Sequence, residues 1–379
     1  MNKVLFRTLT SCGAMLTALP VICSAAGDQV VKIGFSSPLS GAQAPSGKDN
    51  QRGMQMAIDE LNKKGLVIGG NKIKFELLSE DDQADPKSGV QAAQKLVDAG
   101  VKGIVGPYNS GVAIPASKVY NDAGIVMATS GSNPKITLQG FPYVYRIGAS
   151  DSQLGGKMAL YAAKEIKLKK VAVIDDRTAY GQGVAEEYIK AAKANGTEIV
   201  GREFTNDKAT DFNAILTSIK TKNPDGVFYG GYSPQGGAMM RQMRQLGINA
   251  YLLGGDSICD AEMGKLGGEA VNTRVYCTQG GSMLQAQTAG KAFITSFQKL
   301  YNAKPLTYAV TYYDGMMVIA EAMKKANSVE PKQYAPVLAS IKFQGVAGTY
   351  EFDSNHDLKS SPVTVYQFKS GEPSPLTSY

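Results

Sequence analysis

The sequence has one histidine, His356, and four cysteines in 379 residues. Nucleophilic chemistry of the Ser-His or Cys-His kind needs a histidine base held beside the nucleophile. A lone histidine in the polar turn SNHDLKS, expected to be solvated between the last two strands, is no such base. Carboxylates are plentiful, but no pair stands at a spacing diagnostic of acid-base work. Phosphate-binding loops are missing too. SGAQAPSGKDN places five residues between Gly41 and Gly47 where a P-loop has four, and Asp49 stands where a magnesium-binding Ser or Thr would be needed. The segment YGQGV lacks the third glycine of a dinucleotide fingerprint. No nucleotide, metal or other cofactor is therefore expected, and two cysteines with one histidine do not make the usual soft-ligand set.

Strong charge and long apolar runs are also absent. The formal net charge is +7, with the 40 basic residues scattered among 33 acidic ones and no basic stripe interleaved with aromatics, so nucleic acid is not an expected partner. Beyond the N-terminus no run approaches the ~18 apolar residues that span a bilayer. The N-terminus itself has the form of an export signal. Lys3 and Arg7 precede the apolar stretch LTSCGAMLTALPVI, and Ser24 and Ala26 in CSAAG satisfy the small-residue rule for cleavage near Ala26. Pro20 and Ile22 fit poorly beside a lipid-modified Cys23. Cys12 and Cys23 leave with this leader of residues 1–26, and Cys259 and Cys277 remain as an even pair in an oxidising compartment, where a disulfide is favoured.

The rest of the chain alternates apolar strands with capped helices. VVKIGF is followed by a helix with Met54, Ala57, Ile58 and Leu61 on one face; Asp85 and Pro86 cap and start the next helix, and Gly100 stops it. A second round follows, with strands KVAVID, EIVGREF, GVFYGG, AYLLGG and RVYC and helices starting near Gln182, Asp211, Gln235 and Ala261. Two rounds of βα units predict an α/β fold of two doubly wound lobes with mainly parallel sheets. The final strands are read as GTYEFD and PVTVYQF.

In such sheets ligands bind beyond the carboxyl ends of the strands. Ser110 lies in one such loop, GPYNSGVAIPA, and Ser130 and Ser132 lie in the next, TSGSNP. Tyr180, Tyr232 and Asp256 occupy the corresponding places in the second round. Each has a structural alternative, since serines cap helices, tyrosines fill interfaces and Asp256 could N-cap AEMGKL. Together, hydroxyls and helix-end amides suit a carboxylate, and one anionic side chain suits an ammonium group. That is the outline of an α-amino acid lying between two lobes.

The order VKIGFSSPLSG, GMQMAIDELNKKG, DDQADP, VGPYNSGVAIPASKVYNDAGI, DDRTAYGQG, GVFYGGY and LLGGDS resembles the periplasmic binding proteins of branched-chain amino acid ABC transporters. The resemblance covers the whole mature chain. It implies a hinged, non-enzymatic, monomeric receptor that captures leucine, isoleucine or valine in the periplasm and delivers it to permease subunits in the inner membrane. It also implies a first lobe of residues 27–149 and 280–357 and a second of 150–279 and 358–379, joined by three crossings. On this likeness Ser110 holds the ligand carboxylate, Ser132 and the Ser130 backbone hold its backbone groups, and Asp256 takes the ammonium. Tyr180 and Tyr232 close over the ligand, while Ser46, Tyr108 and Tyr308 face its side chain. Cys259 and Cys277 match a pair found in some relatives. Tyr108 stands where an aliphatic residue is common, which leaves other amino acids or amides, aromatic ones included, as alternatives. A sensory module of the same fold is a further alternative.

Overall fold

The computed structural model describes Met1 and residues 27–379; apart from Met1, the expected leader lies outside the described residues. The first round forms β1 (Asp28–Ser37), α1 (Ala44–Lys64), β2 (Val67–Ile68), β3 (Asn71–Asp81), α2 (Pro86–Asp98), β4 (Ile104–Val105), α3 (Ser110–Asp122), β5 (Met127–Thr129) and β6 (Val144–Arg146). The second forms α4 (Asp151–Lys164), β7 (Lys170–Asp175), α5 (Ala179–Ala194), β8 (Glu198–Phe204), α6 (Asn213–Lys220), β9 (Gly226–Gly230), α7 (Ser233–Gln245), β10 (Tyr251–Gly254), α8 (Ala261–Gly267) and β11 (Val275–Gly280). The remainder supplies α9 (Thr288–Tyr301), α10 (Ala309–Ala326), α11 (Pro331–Ala339), β12 (Phe343–Gln344), β13 (Thr349–Tyr350), β14 (Val363–Lys369) and β15 (Glu372–Ser378).

Two sheets result. The first runs β2-β3-β1-β4-β5-β6 and is parallel except for the short β2. The second runs β15-β14-β11-β10-β9-β7-β8, parallel from β11 to β8 and antiparallel at the β14 and β15 edge. Each sheet is covered on both faces, as parallel sheets require. Leu96, Ala113 and Tyr120 of α2 and α3 pack one face of the first sheet, and Met54 of α1 with Met316 and Met323 of α10 pack the other. Leu216, Met239 and Met243 of α6 and α7 cover one face of the second sheet, while Leu154, Met158 and Tyr188 of α4 and α5 cover its opposite face. Full burial of a leucine or methionine side chain contributes ~1.5–3 kcal/mol, so these faces fix which helix lies where. The α1–α10 contact is close because residue 53 is glycine; a Cβ there would stand 1.9 Å from the Ala309 carbonyl oxygen.

The chain passes between the two bodies three times, after β6, after β11 and before β14. Asp85 does cap α2, accepting from the Lys87 and Ser88 N–H groups. Other expectations need correction. GTYEFD contributes only β13, paired with β12 in a two-stranded ladder, and the chain ends in a further strand, β15. His356 is not a solvated turn residue. Its ring stacks on Tyr145 at 4.1 Å, its Nδ1 lies 3.1 Å from the Val144 carbonyl oxygen, and burial lowers its pKa. It braces β6 and stays away from the strand-end loops of the second sheet.

Candidate functional site

The carboxyl ends of the parallel strands in both sheets point at the gap between the bodies. From the first, β4 leads into Tyr108, Asn109 and Ser110, with Ser110 opening α3, and β5 leads into the Ser130–Asn133 loop. From the second, β7 leads to Tyr180 at the start of α5, β9 to Tyr232 before α7, and β10 to Asp256. Ser110, Ser130, Ser132, Tyr108, Tyr180, Tyr232, Tyr308 and Asp256 are all buried. Ser46 is half-buried and, with Tyr108, Tyr232 and Ser257, lines a crevice of about 20 Å³, which has room for about one water.

The loops are closed on one another. Tyr108 Oη donates to Ser257 Oγ at 3.3 Å and Asn133 Nδ2 donates to the Ala179 carbonyl at 2.6 Å. The Thr307 hydroxyl donates to the Cys259 carbonyl at 3.0 Å, and Lys304 pairs with Glu372 at 2.8 Å. Rings form a continuous wall across the gap: Tyr308 meets Tyr108 at 5.5 Å, Tyr108 meets Tyr232 at 6.1 Å and Tyr232 meets Tyr180 at 5.2 Å. Burial pushes the Tyr108, Tyr180 and Tyr232 hydroxyls far above their ordinary pKa, so these hydroxyls stay neutral donors.

The polar groups divide by sign. On the first side Ser110 Oγ accepts from the Asn133 N–H at 3.2 Å, and Ser130 Oγ lies 3.4 Å from Tyr312 Oη. The loop carrying Ser130 and Ser132 is held from beneath by Arg146, which is buried and donates to the Gly131 and Asn133 carbonyls, to Thr137 Oγ1 and to Asp357. These hydroxyls and the amino end of α3 make a surface suited to an anion. On the second side Asp256 Oδ1 accepts from Tyr180 Oη at 2.8 Å. Burial lifts the Asp256 carboxyl to about 6, and the Tyr180 hydroxyl restrains the rise. Asp256 does not cap α8. Asp260 does, accepting from the Met263 N–H at 3.0 Å, while Asp256 begins a separate turn, Asp256–Ile258. Cys259 and Cys277 are joined, which ties that turn to β11.

Several residues of this region carried no mark in the sequence reading: Asn109, Asn133, Arg146, Asp151 and Ser257. Asn133 could have been found, because N-P is a turn signal and its side chain accepts from the Lys135 N–H. Asp151 reads as an ordinary acid in a helix's first turn, after a Ser150–Gln153 capping box.

Two α/β bodies with opposed strand ends, a polar shelf facing a buried carboxylate and three crossings define a two-lobed protein that closes on a small ligand. The chain belongs to the periplasmic binding protein family, which it matches over residues 30–373. It is 33% identical over 347 residues to the Leu/Ile/Val-binding protein BraC3 of Rhizobium johnstonii, covering 90% of this chain and 92% of that one. Among solved structures it is similar to the leucine-binding protein LivK of Thermotoga maritima, with a TM-score of 0.85, 27% identity and 92% and 98% of the two chains covered. It is also similar to LivJ of Streptococcus pneumoniae in complex with isoleucine, with a TM-score of 0.82, 27% identity and 92% and 100% covered. No helix among the described residues is long and apolar enough to cross a membrane.

Proposed function

We propose that the protein is the extracytoplasmic receptor of an ABC importer, that it takes an α-amino acid, with leucine, isoleucine and valine first, and that it delivers this ligand to permease subunits without turning it over. The observation that carries this reading is the opposed chemistry of the two sides: serine hydroxyls and a helix amino end in the first lobe against the buried Asp256 carboxylate in the second. A zwitterion satisfies both at once, and charge-assisted hydrogen bonds of about 1.5–3 kcal/mol each hold it in a closed cleft. Membership of the periplasmic binding protein family and similarity to leucine- and isoleucine-binding proteins support the same reading.

In this account Ser110 takes the ligand carboxylate, Ser130 and Ser132 its backbone groups, Tyr180 and Tyr232 cover it, and Tyr108, Tyr308 and Ser46 face its side chain. The lobes are residues 27–149 with 280–357 and 150–279 with 358–379, and the hinge lies at the three crossings. A monomer in the periplasm, freed of residues 1–26, is the working form. A thermal-shift screen against the twenty amino acids tests it, since a ligand that binds only the native state raises the midpoint by mass action. A shift with leucine, isoleucine or valine is expected. A shift with amides or aromatic amino acids alone would redirect the specificity, and a shift with none of the twenty would end the amino-acid reading.

A further inference from the structure

Apart from the crevice, a larger space lies between the two bodies, a cavity of about 360 Å³ beside the Cys259–Cys277 bond. Small-molecule sites run from roughly 300 to 1,000 Å³, so it has room for a compact organic ligand. Its walls come from both bodies. Leu284, Ile294 of α9 and Leu306 line it from one, and Asp260, Tyr366 of β14 and Pro373 of β15 line it from the other. The first group belongs with the first sheet: Phe293 of α9 meets Tyr313 of α10 at 5.4 Å, and the Leu306 N–H donates to Asp49 Oδ2 of α1 at 3.0 Å. At one end Gln279 Nε2 and the Thr307 hydroxyl both donate to the Cys259 carbonyl. At the exposed mouth Lys304 pairs with Glu372.

The charge inside is one-sided. Asp260 is buried, and its Oδ1 takes both of its bonds, from the Met263 N–H at 3.0 Å and from Ser233 Oγ at 2.8 Å, which leaves Oδ2 for an occupant. Behind Leu306 stands a second buried acid, Asp49. Burial lifts Asp260 to about 6 and Asp49 to about 7; the Leu306 N–H and Arg52 restrain Asp49, and Asp260 adds to its rise. Lys304, the cation of the lining, is committed to Glu372. A buried carboxylate without a cation of its own attracts an ammonium group and repels an anion. The cavity also shares a wall with the crevice. Ser257 lines the crevice, Cys259 and Asp260 line the cavity, and Ser233 Oγ, within 2.8 Å of Asp260 Oδ1, is 3.1 Å from the Ser257 carbonyl oxygen.

We propose that this cavity is a second binding site, separate from the amino-acid cleft, and that it takes a small organic cation: a primary ammonium on Asp260 Oδ2 with a compact apolar body among Leu284, Ile294 and Leu306. Because its walls belong to both bodies, the cavity is complete only when the lobes are closed. An occupant therefore binds the closed form in preference. By linkage it tightens the hold on the cleft ligand, and the cleft ligand tightens the hold on it by the same factor. The site stands on the cavity's own geometry, whichever ligand the cleft takes.

The test uses the exported full chain, with phenethylamine as the cationic probe, 2-phenylethanol and 3-phenylpropanoate as its neutral and anionic counterparts, and L-leucine for the cleft. Titration calorimetry should show phenethylamine binding the leucine-saturated protein, and each of the two raising the other's affinity by at least about fivefold. The alcohol and the acid should bind at least about tenfold more weakly than the amine, the margin of one charge-assisted bond. Asp260→Asn keeps an oxygen for the Met263 N–H and Ser233, so it should fold and lose the amine by a similar factor. Ile294→Trp fills the cavity and should abolish amine binding while leucine, titrated alone, stays within about threefold of wild type. Should the Trp variant fail to fold, Leu284→Trp is measured in its place. Displacement of the amine by leucine, undiminished amine binding in either variant, or equal binding of amine and alcohol overturns the second site and leaves the amino-acid reading intact. Amine binding that Asp260→Asn removes, in a protein that binds none of the twenty amino acids, keeps this site and ends that reading.

Discussion

Asp256→Ala offers a direct measurement of the second lobe's half of the site. In the closed form the carboxylate is buried and bonded to Tyr180 Oη at 2.8 Å. Removing it leaves the ligand ammonium in a closed cleft without its counter-charge. Breaking a buried pair costs at least ~2 kcal/mol, which is a loss of about 30-fold in affinity. The ligand-free protein responds differently. Tyr180 loses its acceptor, at about 1–3 kcal/mol. Against that, the wild-type carboxyl has a folded pKa of about 6 where its ordinary value is 3.8, so the folded state binds the proton more tightly than the unfolded state does. Its contribution to stability is full below pH ~4 and is lost as pH rises through 6, by ~3 kcal/mol in all. The variant lacks this loss. Relative to wild type, ligand-free Asp256→Ala should therefore be least stable at pH 4 and recover by pH 8, while its ligand affinity stays low at both. Calorimetric titration and denaturant unfolding at the two pH values measure the pair of effects. Near-normal affinity in Asp256→Ala or Asp256→Asn would show that the ammonium is held elsewhere, and a stability difference that does not change with pH would refute the charge argument.

Two further outcomes follow from neighbouring features. Arg146→Ala strands Asp357 and the Gly131 and Asn133 carbonyls, so it should lower stability by about 3–5 kcal/mol and disorder the serine shelf, with Arg146→Lys failing to rescue because an ammonium cannot fork to these acceptors; a urea midpoint that moves by less than the equivalent of ~1 kcal/mol would rule this out. The Cys259–Cys277 bond closes a loop with a sequence separation of 18, worth ~3 kcal/mol in the chain-entropy account; the double serine variant should lose that amount, and two free thiols found by mass spectrometry of the unreduced exported protein would remove its basis.

Alternation of strand and helix was legible because burial on both faces of a parallel sheet leaves unbroken apolar runs such as VAVI and GVFYG, and helices between them keep one apolar stripe. The misses have physical causes. β15 carries Pro373 and Pro375, which argue against a strand, yet it lies at the sheet's edge, where a missing N–H goes unpunished. His356 sits in a turn by sequence, with φ 62°, but the turn folds back on Tyr145, a contact between segments more than two hundred residues apart. Asp256 and Asp260 are equally plausible caps for α8 by composition, and only the turn at Asp256–Ile258 decides between them in favour of Asp260. Asp151 shows the limit most clearly. An acid in the first turn after a capping serine is an ordinary helix start, and nothing local distinguishes one left in water from one sealed beneath α5. That distinction is made by Gly183, whose missing side chain lets α5 pack against the carboxylate within the same lobe. Pairing by sequence spacing cannot see it, because the burial comes from the packing of α4 against α5 on the second sheet, a contact between elements separated by β7 in the chain.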